Sequence, residues 1–170
     1  MKCYFTIDRN KTLEKGQIIN LVKYSDVKPS ELQTHVDSLF PDGVTNHGER
    51  YMLKGQALAK GKNEVIELLF EYVRRSHFPS RPSRFQSIFA FENVEQAVNF
   101  RNEYGTSDSL IWEVQSDVVF KADIRLLTLR DSLLVLSYNA HQYWSGISYE
   151  DNPVWEYLMV PPVKVISRID

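Results

Sequence analysis

The chain changes character once along its length, and that change restricts what it can fold into. Apolar residues recur at helical spacing in the first two thirds, strand-like runs fill the last third, and no regular strand-helix-strand rhythm links them. This pattern predicts an α+β domain rather than a parallel doubly wound sheet. The clearest helix runs from about Gly55 to Arg75, with Leu58, Val65, Ile66, Leu69, Phe70 and Val73 on one side and Glu64, Glu67, Glu71, Arg74 and Arg75 opposite. Gly61 marks a break near its start. A second helix opens at Pro29-Ser30-Glu31, carries Leu32, Val36, Leu39 and Phe40, and stops at Pro41-Asp42-Gly43. A third follows Asn93 as its cap, with Gln96 as capping-box partner and Gly105 as the stop.

Strands are expected at Tyr4–Ile7, Gln17–Val22, Ser87–Phe91, Leu110–Val114, Val118–Ala122 leading into Asp123–Leu129, and in the C-terminal run from Trp155. Leu133–Gln142 fits strand or helix. The loop His77–Arg84 contains Pro79 and Pro82, so it is irregular, and it places Arg81 and Arg84 on a stiff connection. At 170 residues the chain suits one core, and 1–170 is expected to form a single domain.

Composition excludes several classes. An apolar share of 43% and a charged share of 25% describe a folded chain. No run approaches the ~20 apolar residues that span a bilayer, and the start, Met1-Lys2-Cys3-Tyr4, lacks a signal-peptide core, so a cytoplasmic protein without membrane contact is expected. Cys3 is the sole cysteine, which rules out an internal disulfide and disfavours a thiolate metal site. The histidines at 35, 47, 77 and 141 stand singly, without metal-ligand spacing; His47, beside Gly48 in a turn-like run, is the one placed to line a site. A net charge of −2 argues against wrapping duplex DNA by bulk electrostatics but permits a local basic cleft. Phosphate-loop, dinucleotide-fingerprint and nucleophile-elbow motifs are absent.

Two places invite chemistry. In Trp155-Glu156-Tyr157-Leu158-Met159-Val160 a single carboxylate heads an apolar strand. It is either a surface residue at a strand end or a catalytic group, because a buried charge is costly unless paired or set in a cleft. The second is Pro82–Phe100, a short strand turning directly into a helix. Phe89 and Phe100 could clamp a flat ring there, Ser87 could fix its polar edge, and Arg84 could meet a diphosphate through its fork; taken alone, the local sequence favours simple core packing for the two rings. Tyr143-Trp144, in an expected loop, is an aromatic pair that could stack a nucleobase, line the donor site or pack beneath the loop.

Ser87-Ile88-Phe89-Ala90-Phe91 followed by Ala97-Val98-Asn99-Phe100, with Ile111-Trp112-Glu113-Val114, Ala122–Leu127 and Glu156–Val160 in that order, resembles the ADP-ribosyltransferase superfamily. The likeness is to a small bacterial or phage type near the poly-ADP-ribose polymerase and diphtheria-toxin branch. It implies split mixed or antiparallel β-sheets, NAD+ as ADP-ribose donor, no metal, and a macromolecular acceptor that is protein or nucleic acid. Glu156 would be the catalytic glutamate, with Phe89 and Phe100 at the nicotinamide-clamp positions. Tyr143 and Trp144 are acceptor-site candidates.

The resemblance further implies a toxin or a phage–bacterium conflict protein, with an antitoxin or other regulatory protein as partner. A transferase shell without activity, kept as a binding module, is the alternative. Two departures stand out. The first strand offers Thr6, Asp8 and Arg9 where the family usually presents His or Arg to the ribose. Phenylalanine also replaces tyrosine in the clamp, which keeps stacking and loses a hydroxyl.

Overall fold

The structure, a computed structural model, describes residues 2–54, 62–104, 108–129, 132–149 and 151–170. Seven strands, β1 (Tyr4–Asp8), β2 (Ile18–Ile19), β3 (Ile88–Phe91), β4 (Leu110–Gln115), β5 (Val119–Asp123), β6 (Trp155–Met159) and β7 (Val163–Arg168), form one sheet in the order β2-β7-β4-β1-β3-β6-β5. Every pairing is antiparallel, so the chain is α+β and, of the mixed and antiparallel sheets expected, it has the antiparallel one. The sheet is also continuous rather than split, but its centre is thin. β1 meets β3 only at Phe5–Phe91 and Thr6–Ala90, whereas on its other edge β1 pairs with β4 from Tyr4–Val114 to Asp8–Leu110. Where a ladder is this short, neighbouring strands can splay and leave an opening between them.

The helices are α1 (Ser30–Leu39), the short α2 (Asn46–Gly48) continued by a wide turn at Glu49–Leu53, α3 (Lys62–His77), α4 (Val94–Tyr104) and α5 (Leu133–Ser145). On one side of the thin seam, α3 and α5 bury Phe70, Leu136, Tyr143 and Trp144 against Phe120, Ala122 and Leu158 of β5 and β6. On the other side, α4 buries Ala97 against Phe91 and Ile111, with Phe5, Ile7 and Phe100 packed around them. On the opposite face, Tyr4, Ala90 and Tyr157 cluster with Trp112, Val114 and Val165. Two helical layers thus flank the seam.

Several expectations change. Only Ile18–Ile19 of Gln17–Val22 is strand, because β2 is an edge paired to β7 alone, and Val22 makes an isolated bridge to Val44. Beyond β5 the chain turns into a 3-10 turn at Ile124–Leu126 instead of continuing as strand. Asp123 ends the strand: its carboxylate accepts from Arg125 N (3.0 Å), Val154 N (2.9 Å) and the Ser148 hydroxyl (2.5 Å). The ambiguous segment is α5, capped by the Ser132 hydroxyl (3.3 Å to Val135 N) and closed by Gly146 in the left-handed region at φ 73°. Asn93 caps α4 through Gln96 N (2.9 Å), while the Gln96 side-chain oxygen is buried without a partner, so only half of the capping box forms. Gly55–Gly61 and the Gly105 stop lie outside the described residues.

Candidate functional site

A cleft of about 1280 Å³ lies over the thin seam. Thr6, Asp8, Arg9, Arg84, Ser87, Phe89, Phe100 and Glu156 all line it. Glu156 is the second residue of β6 and only 1% exposed. Its Oε1 accepts from the Tyr143 hydroxyl (2.6 Å) and from Arg84 Nη1. Among the described residues its Oε2 has no hydrogen-bond partner and is not sealed from the cleft. One carboxylate oxygen is therefore anchored, and the other accepts no hydrogen bond from the described residues.

Arg84 is held from behind. Its Nε and Nη2 donate to Glu67 Oε2 (2.8 Å) and Oε1 (3.0 Å), and Nη1 donates to the Tyr143 hydroxyl and to Glu156. The sequence expectation of Arg84 at a diphosphate is corrected: this guanidinium is 4% exposed and every nitrogen is spent within the fold. The backbone makes this possible. Ser83 caps the 3-10 turn Arg84–Gln86 through Phe85 N (3.2 Å) and donates to Glu71 Oε2 (2.9 Å), which fixes the turn against α3. Glu71 is itself held by Arg74 and Arg75. From the other side Thr45 N reaches Phe85 O (3.0 Å).

Gly48 lets α2 abut that same carbonyl. A Cβ there would lie 2.4 Å from Phe85 O and 2.6 Å from Val44 Cβ. Gly48→Ala is expected to cost about 1–3 kcal/mol by overpacking, read as a lower urea midpoint with an unchanged slope.

Two carboxylates facing one guanidinium leave the cluster one negative charge in excess when both acids are ionised. Burial alone would push Glu67 up, but Arg84 and His47 outweigh it and hold this carboxyl well below the usual range. Burial pushes Glu156 up, and Arg84 and Tyr143 offset only part of the rise. Burial would lower Arg84, yet Glu156 and Glu67 keep it firmly charged. Burial likewise holds the Tyr143 phenol protonated, so it donates rather than accepts toward Glu156. The arrangement is one fixed anion, one fixed cation and one carboxylate poised to change state.

His47, on α2, completes the wall. Its Nε2 lies 3.2 Å from Glu67 Oε1 but off hydrogen-bond alignment, and its ring centroid is 4.7 Å from Phe89 and 4.6 Å from Tyr51. Phe89 has the Arg84 guanidinium 4.4 Å from its centroid, and Phe100 sits against Phe91 and Tyr104, each at 4.8 Å. Both rings are half-buried on the cleft and belong to separate aromatic groups.

The remaining candidates divide. Thr6 donates to Phe89 O (2.7 Å) and pins β1 to β3. Asp8 accepts from Asn10 N (3.1 Å) and Leu13 N (2.8 Å), so it shapes the loop after β1. Ser87 donates to Ser83 O (2.8 Å), which commits its hydroxyl to the turn rather than to a ring edge. Arg9 is exposed on the wall, as are Arg50 and Arg125, which the sequence did not mark.

Tyr143 and Trp144 are corrected as acceptor candidates. They lie in α5, fully buried, because Trp144 Nε1 donates to Phe70 O (2.8 Å) and Tyr143 reaches inward to Glu156. Arg81 is drawn toward α5 as well, with Nε on Trp144 O (3.2 Å) and the guanidinium over Phe120.

A family model described as "Protein of unknown function (DUF2441)" matches residues 4–170. The chain belongs to that family. The match covers every strand and helix named above, including the Glu67–Arg84–Glu156 cluster. No curated protein matches the chain. Among the described residues no group of three or more His, Cys, Asp or Glu could hold a metal ion, and no helix is long and apolar enough to cross a membrane.

Proposed function

We propose that the protein is an NAD+-dependent ADP-ribosyltransferase with an ADP-ribosyltransferase-like fold, and that Glu156 is its catalytic carboxylate. The observation that carries this is the half-anchored Glu156 at the floor of the cleft, inside a buried cluster with an excess of negative charge. Such a site favours a cation. NAD+ brings one in its pyridinium ring, and positive charge spreads over the ribose as the glycosidic bond breaks.

The bond from the anomeric carbon to the ring nitrogen opens, its electron pair stays on nitrogen, and neutral nicotinamide leaves. The free Glu156 oxygen stabilises the ribosyl cation. The acceptor's nucleophilic atom then bonds to the anomeric carbon and gives up its proton to water or to Glu156. Phe89 and Phe100, which line the same cleft as Glu156, offer the ring its flat contacts. Because Arg84 is committed to the cluster, the diphosphate falls to exposed guanidinium groups. Arg9 and Arg125 have no side-chain partner among the described residues, and Arg50 lies over Tyr51. Arg9→Glu and Arg125→Glu are each expected to weaken ADP-ribose binding about tenfold or more by calorimetry at low salt, with less effect at high salt.

The acceptor is a macromolecule, protein or nucleic acid. Incubation with labelled NAD+ and cell lysate, split into nuclease-treated and protease-treated halves, identifies it by which treatment removes the label. A second reading rests on the Arg84–Glu156 contact, which already satisfies one oxygen of the acid. On that reading the transferase shell is inactive and serves as a binding module in a toxin–antitoxin or defence system. NAD+ that binds without releasing nicotinamide would favour it.

A further inference from the structure

His47 touches the charge cluster, and the catalytic step above does not use it. Its position is nevertheless specific. Its Nε2 stands 3.2 Å from Glu67 Oε1, the oxygen that also accepts Arg84 Nη2 (3.0 Å). Arg84 in turn reaches Glu156 through Nη1. His47 and Glu156 therefore act on opposite ends of the same guanidinium–carboxylate pair.

The groups around the imidazole are few. α3 contributes Glu67, and the turn after α2 contributes Tyr51 and, over it, Arg50. The Arg84 turn contributes Phe85, with Arg84 behind Glu67, and β3 contributes Phe89. Glu156 and Tyr143 lie one contact further, through Arg84. Among the described residues, Glu67 is the only carboxylate next to the ring. Without a positive imidazole the cluster holds two acids and one guanidinium; with it, the charges balance. An unbalanced buried charge is costly, so a positive ring favours ionisation of the second acid.

We propose that His47 is a positioning residue for Glu156, acting through Glu67 and Arg84 to set the charge that Glu156 carries. The consequence deepens the proposed function, on which its catalytic meaning rests: His47 would define the acid limit of activity without touching substrate. Its half-buried place on the cleft wall also puts it where a ligand against Phe89 would change its exposure to water.

The test needs no substrate. Carbon-13 NMR of the Glu156 carboxyl, assigned by its loss in Glu156→Gln, follows its titration in the wild type, in His47→Gln and in His47→Phe. The phenylalanine keeps the ring packing on Tyr51 and Phe89 if the polar replacement fails to fold. Either variant is expected to raise the Glu156 midpoint by about 0.5 pH unit or more, because a ring able to take up positive charge beside Glu67 has gone. In the wild type the His47 ring resonances should show an inflection at the Glu156 midpoint, since coupling is reciprocal.

An unchanged or lowered midpoint in a folded variant, or wild-type ring resonances without that inflection, overturns the proposal. If NAD+ turnover exists, its acid limb should move up with the midpoint in either variant. If turnover is absent while the midpoint still moves, the transferase proposal fails and the His47 coupling stands.

Discussion

Arg84→Met is expected to be the most damaging single substitution in the chain. Methionine keeps much of the side-chain volume but leaves Glu67 and Glu156 buried without their cation. Removing one partner of a buried ion pair costs about 3–5 kcal/mol, against a typical total stability of about 5–15 kcal/mol. Thermal unfolding at neutral pH should drop by about 10 °C or more in a chain of this size.

The pH dependence identifies the cause. In the wild type Glu67 titrates below its unfolded value, so its contribution is present above the ordinary carboxyl range and is lost as pH falls through its lowered midpoint. Without Arg84, burial dominates and both carboxyls rise above their unfolded values. The variant should therefore regain stability as the pH is lowered from neutral toward 5, while the wild type gains less, from Glu156 alone. A melting temperature unchanged by Arg84→Met would mean that the cluster does not tie α3 to β6.

Glu156→Gln should separate stability from chemistry. The amide oxygen can keep the bonds from Arg84 and Tyr143, so the geometry is retained. Glu156 titrates above its unfolded value, so its ionised form favours the unfolded chain. Its stabilising contribution exists at low pH and disappears as pH rises through the raised midpoint. The neutral amide removes that cost, and the melting temperature at neutral pH should hold or rise. Turnover of NAD+ should fall at least about a hundredfold, as expected for losing one preorganised charge in a water-poor site. The loss should not be recovered at any pH, whereas wild-type activity should decline on the acid side at a higher pH than a solvated glutamate would give. A large fall in stability would contradict the electrostatic assignment of Glu156.

The sequence disclosed elements whose signals are local. The β3–α4 unit was legible because Asn93 caps the helix and the continuous apolar run Ile88–Phe91 gives way to apolar positions at helical spacing. Glu156 stood out because a lone acid in an apolar strand must find a partner or a cleft, and it has both. α5 was obscured by apolar residues on its outer side. Leu136, Asn139, Ala140, Tyr143 and Trp144 follow a clean helical stripe, but exposed Leu133, Leu134 and Tyr138 fill the gaps between them and mimic a strand.

The partners of Arg84 could not be read locally at all. Glu67 and Glu156 lie 17 and 72 residues away, and a guanidinium on a proline-flanked loop looks equally suited to solvent, phosphate or carboxylate. Glu67 itself read as part of the polar face of α3, because a helix pattern distinguishes charged from apolar residues and not solvated from buried charge. Arg50 and Arg125 carried no pattern, since only the assembled sheet and the turn after α2 place them on one cleft wall.

The transferase assignment depends on one bond being broken in this cleft. Nicotinamide released from NAD+ by the purified wild-type chain, measured by chromatography with Glu156→Gln as the blank, addresses it directly. Release well above that blank, with a variant that still binds ADP-ribose, is the expected outcome. Equal background release from both proteins, with NAD+ bound by each, would contradict it and leave a binding module in its place.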